Sequence, residues 1–143
     1  EEREEWRRLA QHGIRFLEQH AMRDDGGMWF QLTRDGRPLR KRRYVFTETF
    51  GAIAYAACAK AMGDSGMADK ARGLYALARK HFTTPGLIQP KQTEARPMKS
   101  MSGPMMSLVA AQELRACLDD ISFNVDFNDF FLNFFWFRFV LRL

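Results

Sequence analysis

Two segments of the sequence are predicted to form helices with almost no charged face, and they constrain the fold more than any other feature. The first runs from Thr47 to Met62 and has apolar or small residues on nearly every side. The second begins near Pro104, where proline at the first helical position costs nothing, and runs to Leu118. A helix without a polar face is normally buried on all sides. Other helices must therefore cover these two.

The segments around them supply that cover. Residues 1 to 22 and 65 to 82 place apolar residues at helical spacing on one face and charges on the other. Residues 24 to 40 contain DDGG, the strand-like run MWFQLT and the Asp-Gly reversal in RDGRP, which predict a β-hairpin. Exposed helices that alternate with buried ones are typical of an α/α toroid. We therefore predict an all-α fold with one small hairpin.

Composition excludes several classes of protein. The 143 residues suffice for one domain, and 46% hydrophobic content is ordinary for a globular chain. The opening EEREEW is acidic, so we expect no secretory signal and a cytoplasmic location. Cys58 and Cys117 lie in apolar helical patterns and suit reduced thiols. His12, His20 and His81 lack metal-ligand spacing, so we expect no metal and no cofactor.

The net charge of +5 is concentrated between Arg37 and Arg43, in the run RPLRKRR. Such a cluster can hold phosphates electrostatically. It lies beside Gly36 and contains Pro38, however, and Tyr44 is the only aromatic residue next to it. This setting favours a solvated loop over a nucleic-acid site, and we expect neither a nucleic-acid partner nor a membrane.

Four motifs, in their order and spacing, resemble the N-acylglucosamine 2-epimerase family. They are RDGRPL in the hairpin, VFTE at the start of the first uncharged helix, RPMK, and PMM at the start of the second. The similarity covers most of residues 6 to 118. It implies an (α/α)6 barrel in which the N-terminal turns of the inner helices face a pocket for a small-molecule sugar substrate. It also allows a homodimer of the full-length protein.

The resemblance further implies a reaction. A proton next to the carbonyl of the opened sugar is removed and returned without a metal, which interconverts epimers such as N-acetylglucosamine and N-acetylmannosamine. Relatives epimerise cellobiose or isomerise aldoses and ketoses, so these activities stay open. Imidazole has a pKa close to the working pH of such a base, and the family is expected to use two histidines as base and acid.

The chain departs from the family at those catalytic positions. The family's histidines are expected on inner helices after the region that Met105 opens, and an essential arginine before the start of this chain. His12, His20 and His81 do not match these positions, so no catalytic residue is assigned. We therefore expect residues 1 to 120 to be an internal part of an epimerase domain that is inactive alone.

Glu48 is the one acidic residue of the first uncharged helix. Its place in the first turn suits a carboxylate, because the helix dipole is positive there. In the family's barrel that turn faces the pocket, so the resemblance implies that Glu48 binds sugar hydroxyls or orients a catalytic group. A glutamate near a helix N-terminus is also common without any ligand. By the same geometry Met105 would line the pocket floor, although methionines at helical spacing also fill cores.

The sequence changes character after Asp120, where ISFNVDFNDFFLNFFWFRFVLRL crowds aromatic residues together and lacks alanine, glutamate, lysine and glycine. Asp129 and Arg138 interrupt a stretch that barely reaches the roughly 20 apolar residues of a membrane helix. A surface-binding tail and a frameshifted reading of a longer gene stay open, and the abrupt change favours the frameshift. The predicted divisions are residues 1–120 and a tail, residues 121–143.

A rival hypothesis belongs to a different functional class. A non-catalytic helical module would bind an anionic partner through the basic run and the aromatic tail. An incomplete toroid would also leave the faces of its uncharged helices in water, and exposed apolar patches predict aggregation or an obligate partner.

Overall fold

The computed structural model describes residues 2–41, 44–88, 95 and 102–123. In chain order the elements are helix α1 (Glu2–Phe16), a π-helical turn (Leu17–Ala21), strands β1 (Gln31–Leu32) and β2 (Pro38–Arg40), helices α2 (Phe46–Met62), α3 (Ser65–Thr83) and α4 (Ser102–Leu118), and a 3-10 turn (Ile121–Phe123). The prediction of an all-α fold with one small hairpin is confirmed. The arrangement is consistent with part of a helical toroid, and closure into a barrel stays a prediction.

Helix α1 is amphipathic, as its spacing predicts, and its charged face is in solvent. It contributes Ile14 to the core, and Ala21 follows at the end of the π-helical turn, while Trp6 and Leu9 are exposed. The widened last turn brings the ring of His20 against the hairpin. A Cβ on Gly36 would lie 2.2 Å from Nδ1 of that ring. Gly36 therefore has to be glycine for the hairpin to pack there.

The hairpin forms where the Asp-Gly pair predicts it, with strands shorter than the strand-like sequence. Strands β1 and β2 are antiparallel, and Gln31 pairs with Arg40. Gly36 has a φ of 85°, in the left-handed region that glycine adopts without strain. Its N–H donates to the carbonyl of Thr33 at 3.0 Å, which closes the turn. The hairpin leads the chain from α1 to the start of α2.

Helix α2 is the centre of the packing, because it contacts α3, α4 and α1. Its small residues Gly51, Ala52 and Ala56 are buried and let the neighbouring helices approach closely. The helix ends at Gly63, whose φ of 69° and N–H bond to the carbonyl of Ala59, at 2.8 Å, form a left-handed cap. The two-residue connection to α3 makes these two helices antiparallel neighbours.

The prediction that both uncharged helices are buried on all sides is wrong for the described part of the chain. Phe50 on α2 is exposed, and so are Met105 and Val109 on α4. Helix α3 packs against both helices of the pair and α1 packs against α2, and this packing leaves these side chains in water. This is the exposure that we expected from an incomplete toroid.

Helices α3 and α4 complete the core around α2. Leu74 and Tyr75 of α3 and Leu114 of α4 are buried in one cluster. Phe123 joins that cluster, with its ring edge-on to Tyr75 at a centroid distance of 5.4 Å. Asp120, just before it, accepts a hydrogen bond from the Arg72 side chain at 3.3 Å. Of the described residues after position 120, Phe123 therefore packs on α3, and the proposed division at 120 stays a prediction.

In the ranges that the structure describes, no helix is both long and apolar enough to cross a membrane.

Candidate functional site

Glu48 lies in the first turn of α2 and is only 4% exposed. Its Oε1 atom accepts a hydrogen bond from the backbone N–H of Met28 at 2.9 Å. Met28 is held there by its side chain, because Gly51 of α2 leaves room for the sulfur; a Cβ on Gly51 would lie 2.4 Å from it. The carboxylate thus joins α2 to the turn that precedes the hairpin.

A cation, the guanidinium of Arg23, lies beside the same carboxylate. Nη1 of Arg23 is 3.9 Å from Oε1 of Glu48, and the Arg23 side chain is 12% exposed. The guanidinium is itself held by Asp25, through Nη2, and its carbon lies 5.8 Å from the centroid of the Trp29 ring. Cation–π contact and charge pairing therefore fix a partly buried arginine next to Glu48.

The other carboxylate oxygen, Oε2, is buried, and no group in the described part of the chain donates a hydrogen bond to it. A buried acceptor without a donor costs stability, which makes it a marker of a ligand or water site. A cavity of about 340 Å³ lies at this position. Its lining residues are Arg23, Asp25, Gly27, Lys41, Tyr44, Val45, Glu48, Leu77, His81 and Leu87.

Charges around the cavity are balanced. Its two carboxylates, Asp25 and Glu48, face two cations, Arg23 and Lys41, with Nζ of Lys41 3.7 Å from Asp25. His81 adds an imidazole ring to this lining. Such a lining offers both donors and acceptors without a strong field of one sign, which suits a neutral ligand with several hydroxyl groups.

His81 is a cavity residue that the sequence reasoning missed. Its Nδ1 lies 2.9 Å from the carbonyl oxygen of Leu77, one turn back on α3, so Nδ1 carries the proton in that bond. The sequence does contain a signal for its position. The short turn at Gly63 and Asp64 makes α3 antiparallel to α2, which brings the last turn of α3 to the first turn of α2.

Met105 lies in the first turn of α4, as its position after Pro104 predicts, and is 56% exposed. It does not line the cavity that contains Glu48. The structure therefore does not bring the two proposed substrate-binding residues into one cavity within the described ranges, and the role of Met105 stays a prediction. Met98 and Met101, which precede Met105 in the sequence, lie outside the described residues.

The basic run is partly neutralised where the structure describes it. Nε of Arg37 lies 2.8 Å from the carboxylate of Asp35, and Lys41 faces Asp25. Arg42 and Arg43 lie outside the described residues. These pairs are exposed to solvent, and the preference for a solvated loop over a nucleic-acid site stays a prediction.

The two cysteines are free thiols, each half-buried against the core. Burial raises the pKa of the Cys58 thiol, which keeps it protonated and unreactive at neutral pH.

One comparison with known proteins identifies the family. The model of the family described as N-acylglucosamine 2-epimerase (GlcNAc 2-epimerase) matches residues 1–118 of the 143 residues. The hairpin, all the helices described above and the cavity around Glu48 lie within this match. The chain therefore belongs to the N-acylglucosamine 2-epimerase family, as its four motifs predict.

Proposed function

We propose that this chain provides part of the substrate site of a sugar epimerase or isomerase, which moves a proton at the carbon next to the carbonyl of an open-chain sugar. Interconversion of N-acylglucosamine and its 2-epimer is the reaction that the family membership favours. A cellobiose 2-epimerase and an aldose–ketose isomerase are the alternatives within the family. In the proposed reaction the sugar is activated by protein side chains, without a metal.

One observation carries this proposal: Glu48 lines the cavity, and its Oε2 atom is buried and receives no hydrogen bond from the described residues. A sugar hydroxyl is a donor and would supply that bond. The cavity volume of about 340 Å³ is at the lower end of the roughly 300–1,000 Å³ of small-molecule sites, a size that suits one sugar ring. In this role Glu48 binds and orients the substrate.

The proton-transfer groups are not assigned to this chain. Of its three histidines, His12 is exposed and His20 packs against Phe16 and the hairpin. His81 lies in the cavity, but on α3 rather than on one of the two uncharged helices. We therefore propose that the chain binds the sugar but does not by itself exchange the proton at C2.

The test uses the full 143-residue chain and the candidate sugars in D2O. Saturation-transfer NMR with N-acetylglucosamine, N-acetylmannosamine, mannose, fructose and cellobiose measures binding. The C2 proton signal of the four aldoses measures exchange, because C2 of fructose is the carbonyl carbon and carries no proton. The proposal predicts saturable binding of at least one of these sugars and no loss of its C2 signal. Absence of binding for all five would contradict the substrate site. Loss of the C2 signal would show that proton-transfer groups are present in this chain.

A further inference from the structure

Arg23 is the cation next to Glu48, and its contacts hold it in one position. Nη2 pairs with the carboxylate of Asp25, and Nη1 donates to the carbonyl of Met28 at 3.5 Å. Nη1 also lies 3.9 Å from Oε1 of Glu48. Because Met28 bonds Oε1 of Glu48 through its N–H and bonds Arg23 through its carbonyl, one residue fixes both charged groups.

The backbone N–H of Met28 and the guanidinium of Arg23 act on the same oxygen of Glu48. Oε1 receives the N–H of Met28 and faces the guanidinium, whereas Oε2 receives neither. A single hydrogen bond would leave the carboxylate free to turn about its last bond and exchange its two oxygens. A guanidinium on the side of Oε1 makes the two orientations unequal, since charge pairing is stronger at sites from which water is largely excluded.

Gly27 shows how closely these groups converge. A Cβ on Gly27 would lie 3.0 Å from Nη1 of Arg23, 3.0 Å from Oε1 of Glu48 and 3.2 Å from Oδ1 of Asp25. Three charged groups thus meet at the backbone of one buried glycine. The backbone N–H of Gly27 also donates to Asp25 at 3.1 Å, which fixes the acid that holds Arg23.

We infer that Arg23 is a positioning residue, which holds Oε1 of Glu48 toward Met28 and so leaves Oε2 as the acceptor for a sugar hydroxyl. The effect of Arg23 on sugar affinity rests on the proposed substrate site. The structural part of the inference, the orientation of the carboxylate, stands on the unliganded protein. Arg23 acts through Glu48 and Asp25 acts through Arg23, so the three form one ordered chain of contacts.

The experiment measures these two parts separately on the full chain. Amide hydrogen exchange and the 15N–1H signal of Met28 report the bond to Glu48 without any ligand. Titration with N-acetylglucosamine and N-acetylmannosamine as probes reports binding. The variants are Arg23→Gln, which removes the charge, and Arg23→Lys, which restores a charge at this position. Arg37→Gln is the matched control, because Arg37 forms an ion pair with Asp35 on the exposed hairpin.

The expected result for Arg23→Gln is an exchange rate of the Met28 amide that rises about tenfold, together with an affinity for the probe sugar that falls by a similar factor. Arg23→Lys should recover part of both changes, and Arg37→Gln should alter neither. An unchanged Met28 signal in folded Arg23→Gln would overturn the inference. The unaltered chain could bind neither probe sugar while Arg23→Gln still changes the Met28 amide signal. That result would support the orientation of Glu48 by Arg23 and contradict the substrate site.

Asp25→Asn keeps the inference testable if Arg23→Gln does not fold. Asp25 is exposed, and an asparagine at this position keeps an oxygen for the N–H of Gly27 while it removes the charge that holds Nη2. The inference predicts a smaller shift of the Met28 amide signal in the same direction as for Arg23→Gln. No shift in Asp25→Asn would contradict the chain of contacts.

Discussion

The backbone N–H of Met28 donates to the Glu48 carboxylate at 2.9 Å, across 20 residues of sequence and inside the protein. The bond links the turn before β1 to the first turn of α2. It uses one oxygen of the carboxylate and leaves the second buried, without a donor among the described residues. A single buried side chain therefore both closes the fold at this point and offers an acceptor to a ligand.

Replacing Gly27 by alanine should disturb this contact directly. The new methyl group would lie 3.0 Å from both Arg23 Nη1 and Glu48 Oε1, so at least one of these charged groups must move. We expect a loss of about 1 to 3 kcal/mol in the free energy of unfolding, as for other overpacked sites. Urea denaturation of the variant measures it.

Gly73→Ala is the matched control for that variant. Gly73 lies within α3, and a Cβ there meets nothing within 4 Å. Alanine should therefore stabilise the chain by roughly 0.5 to 1 kcal/mol, the usual helical preference over glycine. If Gly27→Ala also stabilised the protein, the tight convergence around Glu48 would be wrong.

The raised pKa of Tyr55 predicts a loss of stability at high pH. Burial, with a further contribution from the charge of Glu18, raises the pKa of Tyr55 to about 12. The unfolded chain releases this proton near pH 10, whereas the folded chain keeps it, so the stabilising contribution is complete below pH 10 and is lost as pH rises toward 12. By pH 11 the loss should reach roughly 1 kcal/mol.

Tyr55→Phe isolates this effect, because it leaves the other titrating groups in place. The Tyr55 hydroxyl is buried and has no hydrogen-bond partner among the described residues, so its removal should be neutral or stabilising at pH 8. Urea denaturation at pH 8 and pH 11 should show that the free energy of unfolding of the variant rises, relative to that of the unaltered protein, by roughly 1 kcal/mol between the two pH values. An equal difference at both pH values would show that Tyr55 ionises normally in the folded chain.

Asp64 caps helix α3, and its removal should weaken that helix. Its Oδ1 accepts the backbone N–H of Met67 at 3.0 Å. Asp64→Ala should cost about 1 kcal/mol in urea denaturation. Asp69→Ala removes an exposed partner of Arg72 on the same helix and should change stability by less than about 0.5 kcal/mol. Similar losses in the two variants would mean that Asp64 acts only as a surface charge.

Phe123 tests whether the folded unit extends past residue 120. Phe123 is 8% exposed and packs against Tyr75, whereas Ile121 is 79% exposed. Phe123→Ala should lower the free energy of unfolding by roughly 3 kcal/mol, while Ile121→Ala should change it by less than about 0.5 kcal/mol. A negligible effect of Phe123→Ala would place the end of the packed unit before this residue.

Most of the fold is predictable because its signals are local. The helical spacing of residues 65 to 82, the Asp-Gly pair before Arg37 and the glycine after Met62 each determine a structure over a few residues. Burial of the uncharged helices was less predictable. The exposed position of Phe50 depends on which other helices are present to cover it, and helical periodicity carries no information on that.

The candidate site is likewise predictable only where its features depend on local sequence. The position of Glu48 in a first helical turn follows from its own neighbours, and so does that of Met105. The contact with Met28, the nearby charge of Arg23 and the presence of His81 in the cavity depend on distant segments meeting. An arginine that follows an amphipathic helix is expected at the surface. Arg23 is partly buried because of the packed turn around Gly27.

The affinity of the full chain for N-acetylglucosamine and N-acetylmannosamine, with and without Glu48→Gln, tests the central claim most directly. Glutamine keeps an oxygen for the Met28 N–H but presents an NH₂ donor where Oε2 offers an acceptor. The account predicts an unaltered fold, an unchanged Met28 amide signal and an affinity at least about tenfold weaker, as expected for a lost hydrogen bond to a charged group. Equal affinities in a folded variant would contradict it.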